Sequence, residues 1–280
     1  MGDTVAYKTI LCHLVADERN LARWEAAFGL ARGDGAHVIG LYTIPPLIIL
    51  GDAMMQVTPA IYEQYDAEAQ AQADAAGTRF MEAARQNGVS AEWRIARGFP
   101  SEAIRVHGLY ADLVVMGQAG DDFISTPGLD STDSLAADAA IFAGRPVIYL
   151  PKSGSFPALG KRVLLAWNGS REAVRALTDS LPLLKRAEAV HLLTAKLPSS
   201  IPAQDISTVL ARHGVKVEMQ NVETTEDAST GALLLREAAA RRCDVLVMGV
   251  YGHSRMNEWA FGGVSRHVLR HATLPVMFSH

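Results

Sequence analysis

Short apolar runs alternate along this chain with longer stretches in which apolar residues return at every third or fourth position. The first pattern fits strands and the second fits helices with one buried face. In order, it predicts strands near 8–14, 36–42, 91–95, 112–116 and 146–150, with helices over 19–32, 60–86, 101–109 and 132–142. The series then starts again. Strands follow near 161–167, 189–195, 215–220, 244–248 and 275–279, with helices over 170–187, 203–213, 229–241 and 263–271. Runs such as Val245-Leu246-Val247-Met248 are apolar on both faces, which suits a parallel strand covered by helices on two sides.

The repetition is visible residue by residue. Tyr7-Lys8-Thr9-Ile10-Leu11-Cys12 matches Gly160-Lys161-Arg162-Val163-Leu164-Leu165. Ala111-Asp112-Leu113-Val114-Val115-Met116-Gly117 matches Cys243-Asp244-Val245-Leu246-Val247-Met248-Gly249, and Arg145-Pro146-Val147-Ile148-Tyr149-Leu150 matches Leu274-Pro275-Val276-Met277-Phe278-Ser279. The predicted fold class is therefore α/β: two tandem five-stranded open parallel sheets with helices on both faces. Residues 1–150 and 161–280 form the two domains, and the Pro/Gly/Ser-rich stretch 151–160 links them. Ligands in such sheets sit at the carboxyl ends of strands near the topological switch point. The loops after each first and each fourth strand are the places to search.

Composition narrows the class. The chain has 280 residues, 49% of them apolar and 20% charged, ample for a core. No apolar run approaches the ~18–20 residues of a membrane span. Met1 to Lys8 lacks a basic segment followed by an apolar one, so a cytoplasmic protein is expected. Cys12 and Cys243 sit in apolar, strand-like surroundings and read as reduced packing residues. The formal net charge of −4 is an average over unlike halves. Residues 1–150 carry 10 Lys+Arg against 19 Asp+Glu, and residues 151–280 carry 16 against 11. Drift on solvated surfaces would give such a split; so would a second half that alone meets an anion.

The loop after the fourth strand of the second copy runs Gly249-Val250-Tyr251-Gly252-His253-Ser254-Arg255 and onward to Phe261-Gly262-Gly263-Val264-Ser265-Arg266-His267. Glycines follow the strand and then open a helix. Backbone N–H groups of such a loop, with the positive end of the helix dipole, make an anion site, most often for phosphate. The same glycines also serve tight turns with no ligand. Arg255, Arg266 and Arg270 surround this loop with Glu258 as the one acid. The first copy has Asp121, Asp122, Asp130, Asp133 and Asp138 there, and Leu129-Asp130-Ser131-Thr132-Asp133-Ser134 where a glycine pair would be. Those side-chain oxygens would occupy the amides a phosphate needs.

Gly249-x2-Gly252-x9-Gly262, the early Trp167-Asn168-Gly169-Ser170 and the closing Leu274-Pro275-Val276-Met277 together resemble the universal stress proteins. The likeness runs over nearly the whole chain, twice, and is closer in the second copy. It implies a fold of the adenine nucleotide alpha hydrolase type and an intramolecular pseudo-dimer joined through the last strands, here Pro146–Leu150 and Pro275–Ser279. The family's ATP-binding members place adenine and ribose by the ends of the first two strands and hold phosphates on the glycine loop. By position, the resemblance assigns nucleotide binding to Asn168, Met248, Gly249, Gly252, Gly262, Gly263, Val264 and Ser265, with His253, Arg255 and Arg266 as secondary phosphate candidates. Two departures stand out: Asn168 where the family usually has Asp, and Gly263 where it has Ser or Thr, leaving Ser265 as the nearest hydroxyl. In the first copy Leu14-Val15-Ala16-Asp17 replaces Trp167-Asn168-Gly169-Ser170, so its site reads as degenerate for nucleotides. Its insert, with Pro45 to Leu50 and Met54-Met55, packs or covers another apolar ligand.

Competing motifs are missing. There is no GxxxxGK[ST], no GxGxxG after a first strand and no GxSxG elbow. His267 and His271 stand four apart on the last helix and with His253 or His280 offer a zinc reading; phosphate-lining or solvent-facing roles compete with it. His13 and His37 read as structural, Trp167 and Trp259 as packing or as borders of a base. The 60–85 stretch reads as an amphipathic surface helix rather than a coiled coil. The resemblance thus implies stress-related binding of ATP or another adenine nucleotide in the second domain, non-enzymatic or weakly hydrolytic. No catalytic residue is singled out. No resident metal is expected; Mg²⁺ or Mn²⁺ would enter through ligand phosphates. No nucleic acid or membrane partner is expected, and a homodimer of tandem chains is compatible. The alternative is a member without ATP, acting as a structural or partner-binding module or holding another small anion or apolar ligand.

Overall fold

The computed structural model describes residues 6–47, 58–118, 135, 139–141, 143–195, 203–222, 227–250 and 263–280. The first half supplies β1 (Thr9–Leu14), α1 (Asn20–Asp34), β2 (His37–Ile44), α2 (Pro59–Gln86), β3 (Ala91–Arg97), α3 (Pro100–Gly108), β4 (Leu113–Gly117) and β5 (Val147–Leu150). The second supplies β6 (Arg162–Trp167), α4 (Arg171–Leu184), β7 (Ala189–Ala195), α5 (Ala203–Arg212), β8 (Glu218–Val222), α6 (Asp227–Ala240), β9 (Val245–Gly249), α7 (Gly263–His271) and β10 (Val276–Ser279). The helix expected over 132–142 falls largely outside the described residues. The strand expected from 215 begins at Glu218. Gly214, at φ +79°, closes α5, and the Val215 N–H turns back to the Leu210 carbonyl at 2.9 Å.

All ten strands join in one sheet, in the order β3-β2-β1-β4-β5-β10-β9-β6-β7-β8. Each half is parallel throughout. The two meet where β10 pairs antiparallel with β5, Met277 opposite Ile148. The last strands of the repeats therefore form the seam of an intramolecular pseudo-dimer. Strand direction reverses there, so the carboxyl edges of the two halves face opposite ways.

Helices cover both faces. One face packs Ile10, Cys12, Val163 and Leu165 against α1, α2, α4 and α5; the other packs Leu11, Val114, Leu164 and Leu246 against α3, α6 and α7. Leu113 to Met116 are fully buried, which explains runs apolar at every position. Each such side chain contributes about 1.5–3 kcal/mol on leaving water. Among the described residues no helix is long and apolar enough to cross a membrane.

The repeated aspartate of the second landmark has a clear task. The Asp112 carboxylate accepts the Lys8 and Thr9 N–H groups at 2.7 and 2.9 Å. Asp244 accepts those of Gly160 and Lys161 at 3.0 and 2.9 Å, and that of Arg162 more loosely. Each aspartate thus ties the fourth strand of its half to the entry of the first. Burial raises the Asp244 pKa, and these backbone donors offset only part of the rise.

Side chains also cross the seam. The Tyr7 hydroxyl donates to the Asp179 carbonyl at 2.8 Å, and Arg186 pairs with Asp34 at 2.5 Å. The linker lies over α1: Arg19 donates to the Gly154 carbonyl at 2.7 Å, and the Pro157 carbonyl leaves no room for a Cβ at Gly29.

Candidate functional site

In the second half β6 pairs with β9, Leu165 opposite Val247. From β6 the chain passes to β7 on one side, and from β9 to β10 on the other. The switch point therefore lies between β6 and β9, at their carboxyl ends. Asn168 follows β6 directly, and Met248 and Gly249 end β9. The helix α7 connects the parallel strands β9 and β10, so it runs back against them with its first turn, Gly263 to Arg266, over this same edge. The topology thus gathers Asn168, Met248, Gly249, Gly263, Val264, Ser265 and Arg266. Gly252, His253, Arg255, Trp259 and Gly262 lie outside the described residues.

The side chains refine the picture. Asn168 is exposed, and its Oδ1 accepts the Ser170 N–H at 3.1 Å. The Ser170 hydroxyl accepts the Ala173 N–H at 3.2 Å and caps α4. Met248 is buried in the core beneath α6 and α7. A Cβ at Gly249 would come within 2.6–2.8 Å of Glu172 and the Ala173 nitrogen. The packing of β9 on the first turn of α4 therefore requires glycine there, with or without a ligand. The indole N–H of buried Trp167 has no hydrogen-bond partner among the described residues. On α7, Gly263 and Arg266 are exposed, Val264 is half-buried, and Ser265 is buried. The first turn carries no acidic residue, and Arg270 and His271 end the helix. What this turn offers an anion is its backbone amides rather than the Ser265 hydroxyl.

His267 and His271 do share a face, their rings stacked with centroids 4.3 Å apart. The His271 Nδ1 lies 2.8 Å from the His267 carbonyl, and the His280 Nδ1 lies 3.1 Å from that of Val250. Burial, then His271, hold the His267 pKa below the usual value. Among the described residues no group of three ligands suits a metal ion.

The first half is built differently at the corresponding edge. Its loop after β1 is longer, Val15 to Arg19 against Asn168 to Ser170, and a buried arginine fills the gap. Arg23 Nη1 donates to Asn20 Oδ1 at 2.9 Å; Nη2 donates to Asp17 Oδ2 at 2.7 Å and to the Gln118 carbonyl at 3.2 Å. Asn20 in turn donates to the Val15 carbonyl at 2.6 Å. Arg23 Nε stands 2.5 Å from where a Cβ on Gly117 would be. Burial lowers the Arg23 pKa, and Asp17 counteracts it. This network is not evident in the sequence motifs. Asn20, Arg23, Ala27 and Ala31 form one buried stripe of α1, and an arginine on that stripe one turn beyond Asn20 was the available signal. Nearby, His13 is buried with Nε2 3.0 Å from Thr43 Oγ1. Burial, reinforced by Arg23, pushes its pKa down to about 3.

At the opposite, amino edge of the second half, a cavity of about 120 Å³ is lined by Leu164, His191, Glu218, Gln220 and Arg241. His191 there sits between Arg162, at 3.4 Å, and Glu218, at 3.1 Å.

A family model described as the universal stress protein family matches residues 6–133 and again 160–280. No curated protein matches the chain. Among solved structures, a universal stress protein from Archaeoglobus fulgidus DSM 4304 aligns over 97% of this chain and 95% of its own, at 18% identity and a TM-score of 0.71. A functionally unknown protein from Pseudomonas aeruginosa PAO1 aligns over 98% and 92%, at 15% identity and a TM-score of 0.62. A putative universal stress protein from Pseudomonas aeruginosa UCBPP-PA14 aligns over 98% and 93%, at 16% identity and 0.63.

Proposed function

Because the chain belongs to the universal stress protein family, we propose that its second half binds an adenine nucleotide, ATP, ADP or AMP, at the β6–β9 switch point. Residues 161–280 are then the nucleotide-binding domain, 151–160 the connector, and 1–150 a domain whose equivalent site is degenerate. One observation carries this reading: the first turn of α7 overhangs the switch point with no acid in it, while the first half has spent the equivalent edge on its own Arg23–Asp17–Asn20 network. The phosphates would rest on amides of the glycine loop, namely those of Gly249, Gly252, Gly262, Gly263, Val264 and Ser265. His253, Arg255 and Arg266 would add positive charge, and Asn168 would face the ribose. Bound nucleotide would supply the charge that draws in Mg²⁺ or Mn²⁺, and the reading is of binding that is non-enzymatic or at most weakly hydrolytic.

A second reading is a family member without nucleotide that serves as a structural or partner-binding module. Asn168 favours it, since its carboxamide oxygen is engaged in its own turn, as does the burial of Ser265.

Calorimetric titration with ATP, ADP and AMP decides between them. Saturable binding supports the first reading, and no heat at millimolar ligand refutes it. If binding occurs, Gly252→Asp abolishes it, whereas Gly120→Asp in the first half leaves it intact. Equal losses from both would refute the assignment to one half.

A further inference from the structure

The helix α2 is too long for the strands beneath it. Its 28 residues span about 42 Å, whereas the eight residues of β2 span about 26 Å. Ala73, Ala76, Gly77, Phe80 and Ala84 are its buried residues, and all lie in its second half. Counting back along the same stripe at helical spacing, Ala69 and Tyr65 still pack on the core, the Tyr65 hydroxyl donating to the Pro45 carbonyl at 2.7 Å, and Tyr62 lies beyond them. Tyr62 is 47% exposed and its neighbour Ile61 43%. Because α2 follows β2, this overhang stands above the carboxyl edge of the first half. It is acidic: residues 59–72 hold Glu63, Asp66 and Glu68 and no lysine or arginine. Among the described residues, only Asp66 in this stretch meets a cation, Arg97 at 3.0 Å.

The second half presents the opposite chemistry on α4. Arg171, Val174 and Arg175 stand at positions i, i+3 and i+4 and share one outward face. Val174 is 47% exposed, and the two arginine side chains 76% and 50%. Their acidic neighbours are held loosely, Glu172 at 3.4 Å from Arg171 and Asp179 at 3.9 Å from Arg175.

We propose that the overhanging half of α2 is a docking surface for a second copy of this chain, and that the Arg171–Val174–Arg175 face of α4 is its complement. Pairing α2 with its own copy would set Glu63, Asp66 and Glu68 against themselves. Pairing α2 with α4 sets tyrosine and isoleucine against valine and arginine stems, with acids opposite guanidinium groups. Two copies related by a two-fold axis would use each surface twice and close as a dimer.

Sedimentation velocity of the full chain at micromolar concentration tests this. The expected result is a species of twice the 30.1 kDa chain mass at low salt that reverts to monomer at high salt. Glu63→Lys with Glu68→Lys weakens association at least about tenfold, and so does Arg171→Glu with Arg175→Glu. Combining all four restores it. All four residues are exposed and the ion pairs of Arg171 and Arg175 are loose, so circular dichroism of each variant should match the parent. A monomer throughout at low salt overturns the proposal, as does association indifferent to either pair. Failure of the combined variant to recover overturns α4 as the complement.

Discussion

His13 allows a quantitative test of how tightly the first half is sealed. It is 4% exposed in β1, and its pKa falls from 6.5 to about 3, first through burial and second through Arg23. Below pH 6.5 the unfolded chain takes up a proton that the folded chain refuses until about pH 3. Stability contributed by the neutral imidazole is therefore complete above 6.5 and lost as pH falls through that window. At about 1.4 kcal/mol per pH unit, going from about pH 7 to about pH 5 costs the folded state about 2 kcal/mol through this one residue. That is a sizeable share of a total of about 5–15 kcal/mol. His13→Gln removes the titration and keeps a partner for Thr43. Urea unfolding of both proteins at the two pH values isolates the term, because all other groups contribute alike. The parent should lose about 2 kcal/mol more than the variant. Equal losses would refute the reasoning and show that His13 reaches water.

Three further outcomes follow from packing and hydrogen bonding. Asp244→Ala leaves the backbone amides at the entry to β6 without their acceptor and should cost about 1–3 kcal/mol in chemical unfolding; no change would mean that water replaces the carboxylate. Arg23→Met strands Asp17 and should cost about 3–5 kcal/mol. Nucleotide titration of that variant should match the parent, and an altered affinity would show that the halves are coupled. Gly249→Ala forces a Cβ onto α4 and should lower stability by about 1–3 kcal/mol in calorimetry; an unchanged melt would mean that the first turn of α4 yields.

Nearly all the described elements were legible in the chain, because strands buried on both faces leave unbroken apolar runs and helices leave a three-to-four spacing. The β5–β10 seam was not legible that way: periodicity says where a strand is, not which strand lies beside it, and the pairing came from family resemblance. At the candidate site the outcome is mixed. Gly249 stood out as a glycine, but its packing against Glu172 and Ala173 is a contact between segments far apart in sequence. Ser265 could have been placed correctly, since it shares a stripe with the buried Val268 and Leu269 at helical spacing. Asp112 and Asp244 were conspicuous as a repeated pair. Their role emerges only when the first and fourth strands lie side by side.

The ion pair between Asp34 and Arg186 carries one more consequence. Asp34 stands three residues before β2, and Arg186 three residues before β7, so the two occupy a single position in the two repeats. A seam between identical chains can carry only contacts that read the same in both directions. There, this position would set acid against acid or guanidinium against guanidinium. Tyr7 breaks the symmetry again, because its counterpart two residues before β6 is Gly160, which has no side chain to return the hydrogen bond. Once both copies share one polypeptide, the seam is free to become a mismatch that only the other half can satisfy. Produced as separate chains, the halves would sort into heterodimers, each rejecting its own kind by charge.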